Sequence, residues 1–180
     1  MNLSPEIIKM RDALLERIGD KPLKEVAQIV NEILLNETNS INTIVKHLSG
    51  NMVSRWTDFL ISDGEKESRN RDDEFEDTIK SKKELLEIWE KGWKVLFDTL
   101  EKLNFQDLEK IIYIRNEGHT VTESINRQLC HYSYHVGQIV MIGKIICGNK
   151  WNSLSIPKGE SQSFNLKKFS KERDRRHFLK

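Results

Sequence analysis

Apolar residues return every three or four positions along most of this 180-residue chain, and three prolines and nine glycines interrupt the pattern rarely. That spacing keeps apolar side chains on one side of an α-helix, which has 3.6 residues per turn. It predicts main helices near 3–18, 39–61, 81–103 and 120–147 and a short accessory helix at 22–35. Capping boxes formed by Ser81 with Glu84 and by Thr120 with Glu123 mark the starts of the helices at 81–103 and 120–147. The apolar stripe of the helix 120–147 is expected to be buried and runs through Val121, Ile125, Leu129, Tyr132, Val136, Val140 and Ile146. The sequence therefore predicts an all-α fold, a four-helix bundle.

Two segments differ from this helical pattern. Residues 62–80, here called the linker, contain eight acidic and four basic residues, and their main apolar residues are Phe75 and Ile79. This composition predicts a long solvated connection between the second and third bundle helices. The β-favouring run Ile111–Ile114, followed by Asn116-Glu117-Gly118, predicts a short extended piece or a hairpin.

Charge and apolar content restrict the partners and the domain organisation. The 29 basic and 28 acidic residues leave a formal charge of +1, which argues against a general affinity for nucleic acid. The longest apolar runs are far shorter than the roughly 20 residues that span a bilayer, which argues against a membrane partner. The pattern predicts one domain over residues 1–165 and a basic, frayed or disordered C-terminal extension over 166–180.

The cysteines and the first residues bear on the cellular compartment. Cys130 and Cys147 are 17 positions apart in one predicted helix, about 25 Å along its axis, so they cannot form a disulfide with each other. The first residues show no basic start followed by an apolar region. Both features predict a cytoplasmic protein.

Three histidines carry the strongest chemical signal in the sequence. His131 and His135 are four residues apart, so both lie on one side of the predicted helix 120–147 and can bind one metal ion. His47 borders the apolar stripe of the helix 39–61, and it meets them if the two helices pack face to face. A His-x-x-x-His pair also arises by chance, and a histidine beside a core often only bonds a carbonyl. The spacing leaves both interpretations open.

The neighbours of these histidines exclude two kinds of metal site. Tyr132 stands where His-Glu-x-x-His metalloproteases carry their general-base glutamate. No carboxylate lies on the histidine stripe of either helix, which argues against a di-iron carboxylate centre. Three imidazoles favour zinc or nickel and would leave the full charge of the ion to lower the pKa of a bound water or thiol.

Several motifs of this chain resemble those of the DinB-like superfamily, a group of metalloenzymes. They are Asn42–Leu48 around His47, Gly118–Val121, Asn126–Leu129 before the His131/His135 pair, Val136–Ile139 after it, Asp63–Lys66 in the linker, and the paired Trp89 and Trp93. The resemblance covers roughly residues 38–165. The segment Leu154–Gly159 matches one uncharacterised subfamily.

The resemblance implies a four-helix bundle, frequently homodimeric, with His47, His131 and His135 as metal ligands. Characterised members include thiol-dependent S-transferases and an isomerase that use low-molecular-weight thiols. The expectation is thus a metal-dependent transferase or related hydrolase acting on a small molecule, with a thiol as a possible co-substrate. The alternative is a non-catalytic, metal-stabilised binding or stress-related protein, and the sequence leaves open whether the chain is an enzyme.

Three polar residues are candidate substrate contacts. Arg55 lies two turns beyond His47 and could bind an anionic group or pair with Asp58. Asn51 and Gln138 lie on the histidine stripes and could instead close the fourth metal position.

Other residues receive structural expectations. His119 is expected to close a helix entrance, Arg69 and Arg71 to be solvated loop charges more readily than a lid, and Cys130 to be a small core residue. Apolar residues outside the main stripes form a candidate dimer surface, namely Leu34, Leu35, Phe97, Leu154 and Ile156.

Overall fold

In the computed structural model, residues 39–175 are described, together with Glu16 on its own. This part is mostly helical, with α1 at Ile41–Trp56, α2 at Lys82–Leu100, α3 at Val121–Cys147 and α4 at Ser161–Phe169. Two strands, β1 at Ile111–Ile114 and β2 at Glu117–Thr120, form a small antiparallel sheet. Short 3₁₀ turns lie at Asp73–Phe75, Phe105–Asp107 and Gly148–Lys150. The predicted helices 3–18 and 22–35 lie outside the described residues, so the four-helix bundle stays a prediction.

The described chain divides into two compact units, with the boundary after Val136. The first contains α1, α2, the hairpin and most of α3. In the second, Trp151 packs so closely on Gly143 that a Cβ there would lie 2.9 Å from its ring. Every described residue from 161 to 175, α4 included, is exposed. The predicted single domain over 1–165 and the frayed extension stay predictions. None of the described helices is long and apolar enough to cross a membrane.

Helix α1 is the core element of the first unit. The Ser40 hydroxyl caps its start by accepting a hydrogen bond from the Thr43 N–H at 3.2 Å. Most of the apolar stripe predicted for the helix 39–61 is buried, including Ile44, Val45, Leu48, Met52 and Trp56, while Leu60 near its predicted end is exposed. The helix ends at Trp56, five residues before the predicted end, because the backbone turns at Asp58, whose φ is +50°. Short polar side chains such as Asp tolerate this left-handed conformation.

A glycine sets the distance between α1 and α2. A Cβ added to Gly92 would lie 2.8 Å from the Ser49 Cα, so only glycine allows this approach of the two backbones. The Thr99 hydroxyl then donates to the Trp56 carbonyl at 2.8 Å and ties the far ends of the helices together. At its start, α2 is capped by Ser81, whose hydroxyl accepts from the Glu84 N–H as the sequence predicted.

The β-hairpin fixes where α3 begins. Ile111 pairs with Thr120 and Ile114 with Glu117, while the two turn residues, Arg115 and Asn116, both have positive φ. This is the turn that suits the twist of a two-stranded ribbon. The hairpin confirms the extended segment predicted there and adds a small sheet to the expected all-α fold.

Helix α3 begins with a capping box and buries an unexpected face. Thr120 and Glu123 exchange hydrogen bonds, as their spacing predicted. The buried residues are Val121, Ser124, Gln128, Tyr132 and His135. The apolar stripe was expected to be buried through Leu129, but that side chain is 63% exposed. A largely polar face of α3 is therefore turned inward.

Candidate metal centre

The three predicted histidines converge between α1 and α3. The His47 Nε2 lies 3.2 Å from the His131 Nε2, which lies 3.1 Å from the His135 Nε2. One ring nitrogen from each residue lies within 4.8 Å of the others. His47 and His135 are only 6% and 8% exposed. The sequence predicted that His47 meets the other two histidines if the two helices pack face to face. This prediction is confirmed, and the three residues form a cluster compatible with metal binding.

A tyrosine between the two α3 histidines locks the helices in register. The Trp56 Nε1 donates to the Tyr132 hydroxyl at 2.8 Å, and that hydroxyl donates to the Asn51 Oδ1 at 3.2 Å. Together with the approach of His47 to His131, these contacts join α1 to α3 over more than two turns of α1. The tyrosine that replaces a metalloprotease glutamate is thus a buried structural residue.

The donor set fits a divalent ion. A tetrahedral ion with ligands at 2.0–2.1 Å separates its nitrogens by about 3.3 Å, close to the two short distances seen here. Within the described residues, the group of possible His, Cys, Asp and Glu ligands consists of these three imidazoles. Three neutral nitrogens could hold zinc or nickel.

A carboxylate from the linker contacts the His47 ring on the side opposite to the other two histidines. The Glu74 Oε2 lies 2.9 Å from the His47 Nδ1, the ring nitrogen that faces away from the other histidines. Phe75 stacks on the His47 ring with centroids 5.1 Å apart. A hydrogen bond of this kind fixes the tautomer and the orientation of a metal-binding histidine. Glu74 is a residue of the candidate site that the sequence patterns did not reveal.

Arg69 holds Glu74 in place. Its Nε and Nη2 donate to the two Glu74 oxygens at 2.7 and 2.8 Å, and its Nη1 reaches Glu65 at 3.3 Å. The side chains of Arg69 and Glu74 are only 5% and 7% exposed. The expectation that Arg69 is a solvated loop charge is therefore wrong. The apolar Phe75 and Ile79, unusual in so charged a linker, were the available signal that this segment packs against the protein.

Hydrogen bonding decides the charge state of Glu74. Burial acts to raise the pKa of its carboxyl, but the hydrogen bonds from His47 and Arg69 outweigh burial and hold the pKa below its ordinary value. The pKa of Arg69 is raised, since its bonds to Glu74 outweigh burial there too. The two groups form a buried ion pair behind His47.

Gly50 makes room for this carboxylate. A Cβ built on it would lie 2.1 Å from the Glu74 Oε1 and 2.7 Å from its carboxyl carbon. No side chain larger than hydrogen fits there while Glu74 keeps its position. Gly50 thus belongs to the site although it offers no ligand atom.

Burial keeps His131 neutral. Desolvation lowers the pKa of its imidazole to about 3, and the neighbouring His135 and His47 act in the same direction. A neutral imidazole has a free lone pair for a metal ion over the whole physiological range.

This shift predicts that the metal-free chain loses stability in acid. The unfolded chain gains a proton at His131 near the ordinary value of 6.5, whereas the folded chain does so only near about 3. The stabilising contribution is fully present above 6.5 and is lost as the pH falls towards 3. Urea unfolding at stepped pH, compared with His131→Asn, measures it. A difference between the two chains that stays constant between about pH 7 and pH 4 would contradict the expected shift.

The candidate substrate contacts have different surroundings. Asn51 and Arg55 are both 5% exposed on the same face of α1 as His47, and the Asn51 Oδ1 is engaged by Tyr132. The expected ion pair of Arg55 with Asp58 is not formed within the described residues, since two Arg55 nitrogens have no partner. Gln138 belongs to the second unit, and its role stays a prediction.

Three further expectations can be compared with the structure. Cys130 is exposed, so the expectation of a small core residue is wrong, because α3 turns its polar stripe inward instead. The Arg71 guanidinium lies over the Phe75 ring, 5.4 Å from its centroid. His119 lies on β2 beside the α3 cap, with its Nε2 buried and unpartnered among the described residues.

Comparison with known proteins gives a family without an assigned activity. No curated protein and no solved structure matches the chain. A family model described as "Protein of unknown function (DUF1572)" matches residues 5–160, which include the histidine cluster, Glu74 and Gly50. By this match over most of its length, the chain belongs to the DUF1572 family.

Proposed function

We propose that this chain is a cytoplasmic metal-dependent enzyme of the DinB-like superfamily, with His47, His131 and His135 as the ligands of a zinc or nickel ion. The observation that carries the proposal is the convergence of three ring nitrogens from two helices. The buried pair of Glu74 and Arg69 behind His47 supports it, since a carboxylate in this position is typical of a metal-binding histidine.

The described part of the chain brings three ligands together and no fourth, which favours chemistry over a purely structural role. Structural zinc sites are closed by four protein ligands, whereas catalytic sites use three. Asn51, one candidate for the fourth ligand, already accepts a hydrogen bond from Tyr132 through its Oδ1. A bound divalent ion would supply a Lewis acid that lowers the pKa of a thiol or water. We therefore favour a thiol-dependent S-transferase or a related hydrolase acting on a small molecule, with a low-molecular-weight thiol as co-substrate.

The protein residues have separable tasks in this proposal. His131 stays neutral because partial burial, together with the neighbouring His135 and His47, lowers the pKa of its imidazole, so it needs no deprotonation before it binds a metal. Glu74 accepts a hydrogen bond from the His47 Nδ1–H. The lone pair of the His47 Nε2 is then directed towards the other two histidines. Tyr132 holds α3 against α1 through Asn51 and Trp56.

A non-catalytic role is the second candidate. The same cluster links α1, α3 and the linker, so a bound metal would also stabilise the unit. In that case the chain would be a metal-stabilised binding or stress-related protein.

The metal is tested by elemental analysis of protein purified without a nickel column. We expect about one zinc or nickel per chain, and loss of most of it in His131→Ala and His135→Ala, because each removes one of three ligands. His119→Ala is the matched control and should keep the metal. Unchanged metal content in both ligand variants would overturn the site.

The reaction class is tested with the metal-loaded protein. Monochlorobimane and a panel of low-molecular-weight thiols should give conjugation that a chelator abolishes and that His131→Ala lacks. Full metal occupancy without any conjugation or hydrolysis in this panel would favour the structural role.

We also propose a homodimer with a complete metal site in each protomer. The superfamily resemblance supports it, as do the large exposed apolar side chains of Phe97, Leu154 and Ile156, which are 49%, 76% and 37% exposed. Leu34 and Leu35 lie outside the described residues. Light scattering at micromolar concentration should give about twice the 21.1 kDa chain mass. A monomer mass there would overturn the dimer and leave the metal site untouched.

A further inference from the structure

Arg55 is a buried cation with no counter-ion among the described residues. It lies on α1 two turns after His47 and is 5% exposed, yet its Nε and Nη1 have no hydrogen-bond partner in the described structure. Arg69, the other buried arginine near the cluster, is fully engaged by Glu74 and Glu65. Buried charges in proteins are normally paired, so an unpaired guanidinium next to a candidate active site indicates a missing anion.

Two more unpartnered polar groups lie on the facing helix. The Ser124 Oγ and the Gln128 Oε1 are buried without partners, in side chains that are 0% and 3% exposed. Arg55 lies near this part of α3, because Arg127 and Tyr132, which flank Gln128, both act electrostatically on its guanidinium. Ser124 lies one turn before Gln128 on the same buried face of α3. The three unsatisfied groups thus lie one to two turns from the histidines of their own helices.

The surroundings of Arg55 explain why the charge stays unpaired. Its pKa is lowered by burial first and then by Arg127, while Glu65, which is paired with Arg69 and Arg115, acts in the opposite direction. The linker backbone covers the guanidinium at Gly64, where a Cβ would lie 2.8 Å from the Arg55 Nη1. Neither neighbour neutralises the cation.

We propose that Arg55, Gln128 and Ser124 bind the carboxylate of a small, singly charged ligand beside the histidine cluster. One buried guanidinium balances one negative charge, so a phosphate dianion would be left half compensated. The hydroxyl and the amide supply further hydrogen bonds to the carboxylate or to a polar group next to it. That this carboxylate site anchors the substrate rests on the proposed function. That it binds a carboxylate does not depend on the proposed function.

The test uses the metal-free full-length chain, so that added acetate has no metal to bind. Its melting temperature is measured against acetate at constant ionic strength, with chloride as the balancing ion. A saturable rise is expected for the wild type, and Arg55→Met should weaken apparent acetate binding roughly tenfold or more. Arg127→Gln makes the same change of net charge at an exposed neighbour and should keep the effect.

The outcomes separate this site from the metal centre. Without acetate, Arg55→Met should melt no lower than the wild type, because it removes an unpaired buried charge. Arg55→Lys, which keeps the charge, should retain part of the acetate effect. A wild type without a saturable rise, equal losses in Arg55→Met and Arg127→Gln, or tighter binding of inorganic phosphate than of acetate would each overturn the proposal. Metal content should be the same in Arg55→Met and in the wild type. If the elemental analysis finds no bound metal, the proposed function fails, but acetate binding by the metal-free chain is unaffected.

Discussion

Glu74→Gln is expected to weaken metal binding by about ten- to a hundredfold and to destabilise the chain by about 3 kcal/mol. The first effect follows because the amide no longer holds the His47 Nδ1 as a carboxylate does. The loss of stability follows because the guanidinium of Arg69 loses its bidentate partner but remains buried. Glu65 remains as a partial partner, which places the cost at the lower end for a broken buried ion pair.

A competition titration with a chromophoric chelator measures the metal affinity, and urea unfolding of the metal-free protein measures the stability. Glu65→Gln is the matched control, since it also removes a carboxylate from Arg69 but does not touch His47. It should leave the metal affinity within about twofold of the wild-type value. Equal losses of affinity in the two variants would show that Glu74 does not act through His47.

Gly50→Ala should destabilise the chain by about 2 kcal/mol, although alanine is the better helix former by about 1 kcal/mol. The added methyl would lie 2.1 Å from the Glu74 Oε1, so the carboxylate must leave its position. Metal affinity should fall with it, by roughly tenfold, because His47 loses its hydrogen-bond partner.

Two comparisons sharpen this prediction. Gly137→Ala in α3 meets no atom within 4 Å and should stabilise the chain by up to about 1 kcal/mol. In a Glu74→Ala background the steric conflict is gone, so Gly50→Ala should there become neutral or stabilising. The sign change, measured by urea unfolding, is the signature of direct coupling between the two residues. Additive effects of the two substitutions would contradict the assigned contact.

Local sequence patterns predicted the elements that depend on local forces. Helix periodicity located α1, α2 and α3, and the boxes at Thr120 and Ser81 marked two of their starts within a residue. The end of α1 was predicted five residues late, because Asp58 offers no local stop signal as glycine does.

The buried face of α3 was the main error of interpretation. Hydrophobicity assigned Leu129 to the core, whereas the structure buries Ser124 and Gln128 on the histidine side. Polar residues can be buried when the facing helix or a ligand offers them polar partners. The sequence of α3 alone cannot reveal this, because the partners lie on α1 or on a ligand.

Residue type and helix geometry alone predict the helical class, the i,i+4 spacing of His131 and His135, and the limited ligand chemistry of three imidazoles. Three features emerge only when the chain is folded: His47 joins the pair, Glu74 reaches its far nitrogen from the linker, and Gly50 leaves space for the carboxylate. These contacts join residues 27 or more positions apart, or depend on a missing side chain. Side-chain periodicity carries no information about either, since it describes one helix at a time.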